Sequence, residues 1–154
     1  MQGRYFLRRT ARHQHGMGLI EVLIALLVLA IGMLGVAALQ ATALRNSQSA
    51  LERSQAVIQT YSILDAMRAN KASALAGDYD IVIDSPCSTP AAGVLAKQDL
   101  AAWRASIQTA LGASACGGIV REGNAGNILV TIQWDDTRGT GGQTTQTLST
   151  RTLL

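Results

Sequence analysis

The chain has 154 residues, 48% of them hydrophobic and only 15% charged, with a formal net charge of +3. That length holds one small domain and an apolar segment, not several domains. The positive balance is local: Arg4, Arg8, Arg9 and Arg12 supply it, while residues 17–154 carry nine Lys and Arg against ten Asp and Glu, a net of −1, which gives no support to nucleic-acid binding.

Residues 1–16 contain those four arginines and no acid, and they end at Gly16. No fixed structure is expected there. Arginines before a first hydrophobic segment favour retention on the cytoplasmic side, with the remainder of the chain across the membrane. His13 and His15 have the spacing of a small metal pair, but they read more simply as leader residues.

From Val22 to Leu39 come 18 consecutive residues without a charged or polar side chain. As a helix they extend about 27 Å, close to the hydrocarbon thickness of a bilayer. Glu21 stands at the mouth of this run. A carboxylate beside hydrocarbon is costly and usually has a partner. No Lys, Arg or His lies between Met17 and Leu44. One reading leaves Glu21 solvated among headgroups. The other pairs it with an α-amino group, created if the chain is cut before Met17. An ordinary signal peptide competes for this region, because Gly35 to Ala41 offers small residues behind the run. The apolar run is long for that purpose, however, and the obvious cut site precedes it. Gly32 and Gly35 are the run's weak helix positions, or its points of close helix contact.

After Leu44 the chain turns polar, and apolar residues recur with helical period. Ala50, Val57, Tyr61 and Leu64 form one stripe, with Leu51, Ile58 and Met67 beside it. No Pro or Gly intervenes between Gly35 and Gly77, so one helix of about 50 residues is expected, ending in the region Asn70–Gly77. Asp80–Asp84 reads as a short strand and Ser85–Pro90 as a turn-rich loop. A further helix follows, with Leu100, Trp103, Ile107 and Leu111 on one face and Gly112 at its end. Ile119–Arg121 is a strand candidate. Ile128, Val130, Ile132 and Trp134 alternate with Leu129, Thr131 and Gln133 in a β period. A Gly-rich loop, Asp135–Gln143, leads to a final strand within Thr144–Leu154. The sum is an α+β fold with a three- or four-stranded antiparallel sheet packed on the second half of the long helix.

Chemistry is sparse. Asp135-Asp136 lacks the order of a Ca²⁺ loop and reads as a solvated turn. Gly139-Thr140-Gly141-Gly142 has neither the Lys nor the helix of a phosphate loop. No histidine occurs after residue 16, which removes the commonest general base. A non-enzyme without cofactor or metal is expected. Cys87 and Cys116 are the two cysteines. In an exported domain they favour a disulfide, which would clamp the two ends of the second helix and contribute roughly 3–4 kcal/mol in the chain-entropy picture. Free buried thiols or a metal site are the alternatives.

The segment Gly16-Met17-Gly18-Leu19-Ile20-Glu21-Val22-Leu23, with its basic leader and apolar run, resembles the N-terminal signature of type IV pilins and pseudopilins. Met17 stands where that family usually has Phe, and Gly18 where it usually has Thr. The resemblance implies cleavage between Gly16 and Met17 by prepilin peptidase and methylation of the new Met17 terminus. It gives Glu21 a role in subunit recognition and assembly. It implies a pilin-like fold with a cleaved leader (1–16), a transmembrane and assembly half of the helix (17–44) and a periplasmic globular domain (45–154). The anchor would be single-pass in the inner membrane. Many major pilins have a Pro in this helix, and here the first Pro is Pro86. Length, the stretch Asp99–Trp103 and the stretch Val130–Asp136 are similar to PilV-type minor pilins, the type IV pilus modification proteins. That likeness implies a low-abundance subunit that starts assembly with other minor pilins, the major pilin and the inner-membrane assembly machinery. A minor pseudopilin of type II secretion and a single-pass anchored periplasmic binding domain are the alternatives.

Overall fold

The computed structural model describes residues 18–91, 93–123 and 126–154. The chain forms two compact units, one ending at Gln40 and the other running Ala41–Leu154. A single helix, α1 (Leu19–Ala69, 51 residues), contributes to both. Its continuity follows from composition: no Pro occurs, and Gly32 and Gly35 are its only glycines.

In the first unit, every described side chain is exposed. Leu19 is 79% exposed and Leu39 73%. The helix is long and apolar enough to cross a membrane.

In the second unit, α1 buries Ala56, Gln59, Thr60, Ile63, Leu64 and Met67. The expected stripe is corrected here. Leu64 and Met67 are buried, but Ala50, Leu51, Val57, Ile58 and Tyr61 are exposed. The face that packs is turned away from that stripe, with Ala56, Thr60, Ile63 and Met67 following one another at spacings of four, three and four. Its polar groups are satisfied at the same time: the Thr60 hydroxyl donates to the Ala56 carbonyl at 2.9 Å, and the Trp103 indole N–H donates to the Gln59 carbonyl at 2.9 Å.

Asn70 leaves the helical region and ends α1. A short helix, α2 (Lys71–Ala76), continues the chain to Gly77 at φ 98°. There Asp78 N–H bonds the Ser73 carbonyl and Gly77 N–H the Ala74 carbonyl, a Schellman closure that needs a left-handed residue. A Cβ on Gly77 would also collide with the Arg121 guanidinium.

The strand expected over Asp80–Asp84 is reduced to one bridge, Ile81 with Ile119. Beyond Ile81 the Val82 carbonyl turns to the Arg104 side chain instead of a sheet ladder. The helix α3 (Leu95–Leu111) then buries Ala96, Leu100, Trp103, Arg104, Ile107 and Leu111, and Gly112 follows it.

Three strands complete the fold: β1 (Cys116–Glu122), β2 (Asn127–Trp134) and β3 (Gln146–Leu153), all antiparallel in the order β1-β2-β3. Ile119 pairs with Val130, and Val130 with Thr150. Alternation sends Ile128, Val130, Ile132 and Trp134 into the core and leaves Leu129, Thr131 and Gln133 on the half-exposed face. The core lies between that inner face, α3 and the second half of α1.

Two adjacent glycines let the layers meet. A Cβ on Gly117 would clash with the Trp103 ring and lie 2.7 Å from Ile107. One on Gly118 would lie 2.8 Å from Ile83 Cγ1 and 3.2 Å from the Ile81 carbonyl.

Candidate functional site

Two groups of residues warrant a functional reading: the start of α1 in the first unit, and the cysteine pair with its surroundings in the second.

Gly18 opens α1 by accepting from the N–H groups of Glu21 (3.0 Å) and Val22 (3.4 Å). Glu21 occupies the first helical turn, where a carboxylate complements the positive end of the helix dipole. It is exposed and forms no ion pair among the described residues. Gly16 and Met17, the expected cleavage pair, lie outside the described residues, as do His13 and His15. Behind Glu21, the groove over Gly32 is lined by Val28, Leu29, Met33, Val36, Ala37 and Gln40. Such a surface suits hydrocarbon or another apolar helix.

In the second unit Cys87 and Cys116 are bonded, with Cα atoms 5.4 Å apart. Asp84 lies beside them, Oδ1 3.7 Å from Cys116 Sγ. The three could otherwise be taken for a metal cluster, but the disulfide uses both sulfurs.

Arg104 has no counterpart in the sequence expectations. Its side chain is 1% exposed. Nε donates to the Gly117 carbonyl at 3.0 Å. Nη1 donates to Asp84 Oδ1 at 3.1 Å and to the Ser88 carbonyl, and Nη2 to the Val82 carbonyl. Burial lowers the guanidinium's pKa, and the Asp84 carboxylate opposes that. Hydrogen bonding from Ser88 holds the Asp84 carboxyl below the usual range, and Arg104 adds to it.

Asp136 is also corrected: it is 1% exposed, not a solvated turn residue. Ser49 Oγ donates to its Oδ2 at 2.7 Å, and Arg53 lies 3.8 Å away. Arg138 pairs with Glu52 at 3.0 Å. These contacts latch the loop after β2 onto the Ser49–Arg53 turn of α1. Gly142 allows the loop to close, since a Cβ there would overlap the Asp136 backbone. Asp135 behaves as expected, half-exposed, with its carboxyl pKa lowered by the Thr137 N–H.

Tyr79, fully buried, donates its hydroxyl to Asp99 and accepts from Asn70 at 3.4 Å. Burial first, then the Asp99 carboxylate, raises its pKa.

With this geometry in place, residues 11–37 match the family model described as the prokaryotic N-terminal methylation motif. The matched stretch takes in the Gly16–Met17 junction, Glu21 and most of the apolar run. It supports a pilin-like protein whose N-terminal signal is of the type IV pilin kind, carried on an α+β fold with a long apolar helix. No curated protein and no solved structure matches the chain.

Proposed function

We propose that this chain is a minor pilin of a type IV pilus, a structural subunit that contributes to starting pilus assembly in a tip complex with other minor pilins. The observation that carries the reading is the methylation motif over residues 11–37, set at the head of a helix whose first half, Leu19 to Gln40, is exposed along its whole described length.

The mechanism is physical. Prepilin peptidase cuts between Gly16 and Met17, and the new amine on Met17 is methylated. The apolar half of α1 holds the subunit in the inner membrane, with residues 45–154 in the periplasm. On assembly, the apolar surface from Leu19 to Leu39 exchanges lipid for neighbouring helices. Glu21 pairs with the N-terminal amine of an adjacent subunit, a charge-assisted contact strengthened where water is scarce. The exposed apolar residues Leu44 (67%), Leu51 (60%), Ile58 (56%) and Tyr61 (59%) extend that contact into the second half of α1. The likeness to PilV-type minor pilins rests on length and on the stretches Asp99–Trp103 and Val130–Asp136.

Intact-mass spectrometry of the membrane-extracted chain, with and without prepilin peptidase, tests the reading. Loss of residues 1–16 plus one methyl group, dependent on that enzyme, is expected. An uncut chain, or a cut after Gly35, leaves an anchored or exported domain instead. Co-purification with a secretion pseudopilus in place of a pilus would assign the chain to type II secretion. Glu21→Ala is expected to insert normally yet enter pili poorly; normal incorporation removes the charge pairing from the mechanism.

A further inference from the structure

The disulfide joins two segments that the same buried side chain already holds. Arg104 reaches the carbonyls of Val82 and Ser88 and the carboxylate of Asp84 on the Cys87 side. It reaches the carbonyl of Gly117, next to Cys116, on the other. All three guanidinium nitrogens are engaged, and the side chain is 1% exposed. The Ile81–Ile119 bridge adds two backbone hydrogen bonds, 2.9 and 2.7 Å, between the same segments. None of these contacts involves a sulfur atom.

We propose that Arg104 is the positioning residue for oxidation of the cysteine pair: it docks the Val82–Ser88 segment against the start of β1, so that the folded dithiol presents two sulfurs already within bonding range. Arg suits this role better than Lys, because its planar fork serves acceptors on two segments at once. The forming reaction is thiol–disulfide exchange with an external disulfide such as oxidised glutathione. Cys87, the more exposed residue of the two, attacks first as thiolate and expels one glutathione thiolate. Cys116, 2% exposed and beside Asp84, then attacks Cys87 Sγ and expels the second. The cysteine pair loses two electrons to the oxidant, and the two thiol protons end on the two released glutathiones. The inference concerns the folded domain and stands whether or not the chain enters a pilus.

The test uses the full chain in detergent, reduced and then equilibrated in mixtures of reduced and oxidised glutathione. The oxidised fraction gives the effective concentration of one thiol at the other, and quenched time points separate the first attack from ring closure. Arg104→Met is expected to lower the effective concentration about tenfold or more, the scale of losing buried charge-assisted hydrogen bonds. Ring closure slows in proportion, while attack at Cys87 does not. Arg104→Lys recovers only part of the loss. An unchanged effective concentration in the Met variant overturns the proposal. So does an equal loss in a core variant matched for destabilisation, such as Ile132→Ala, because general loosening would then account for it. If the reduced Met variant does not fold, Asp84→Ala decides. A fall of about twofold or more there supports the docking role, and no change overturns it.

Discussion

The two halves of α1 share one backbone geometry and differ in everything their side chains meet. From Leu19 to Gln40 the helix is exposed on all sides and almost wholly apolar. From Ala56 to Met67 it buries one face, and that face includes Gln59 and Thr60. The more hydrophobic half is thus the one with nothing buried, and the half with buried polar groups forms the core. Hydrophobicity alone does not locate a protein's interior; the presence of a complementary surface does. The first half is long and apolar enough to cross a membrane. The second receives α3 and β2.

Substitutions that exchange the demands of the halves should separate most widely. Val28→Asp places a charge in the apolar run and is expected to cost about 2.5–3.5 kcal/mol on insertion scales. Its signature is loss of membrane retention, read by carbonate extraction, with the denaturation midpoint of the second unit unchanged. Leu64→Ala should do the reverse, costing about 2–5 kcal/mol of stability in denaturant titration while retention is untouched. If either variant moves both readouts, the halves are not independent in the way their burial indicates.

A smaller effect tests where the second half acquires its partners. Ser49→Ala deprives the buried Asp136 Oδ2 of its hydroxyl donor, and a loss of about 1–3 kcal/mol is expected. The loop after β2 should then become more readily cleaved by protease, while a matched change at exposed Ser62 leaves both measures alone.

The smallest effects are those of pH, confined to the second unit. Asp84 and Asp135 have lowered pKa values. A depressed carboxyl contributes stability above its unfolded pKa of about 4 and loses it as pH falls through the lower folded value. Acid unfolding should therefore begin below about pH 4, with a shallower slope in Asp84→Asn. Tyr79 has a raised pKa, so its contribution is complete below about 10 and declines as pH rises through the folded value. Tyr79→Phe should flatten that alkaline limb in a pH series of thermal melts.

What could be read from the sequence was local pattern. The unbroken apolar run, the Gly16-to-Glu21 spacing and the alternation of Ile128, Val130, Ile132 and Trp134 are all contained in short windows. So is the Gly77 stop. What escaped depended on contacts between distant segments. Val57 and Tyr61 look like better core residues than Ala56 and Thr60, until α3 approaches close enough for Trp103 to reach the Gln59 carbonyl. Arg104 carries a charge and reads as surface, because its acceptors lie 13 to 22 residues away. Asp136 sits in a loop of glycines that looks solvated, and only the approach of Ser49, 87 residues earlier, buries it. Asp80–Asp84 has strand composition, but Arg104 takes one of its carbonyls.

The double glycine in β1 has a consequence for how the chain tolerates mutation. Gly117 is crowded by the ends of two side chains, those of Trp103 and Ile107. Gly118 is crowded by Ile83 and by the backbone at Ile81 and Ile83. A defect from Gly117→Ala is therefore open to second-site suppression in α3, by trimming Ile107 or Trp103. Gly118→Ala is less open to such escape, because shortening Ile83 still leaves two backbone atoms at 3.2 Å that must give by a few tenths of an ångström. In a selection for revertants the first glycine should yield intragenic suppressors more often than the second, so that neighbouring, chemically identical positions would differ in evolutionary freedom.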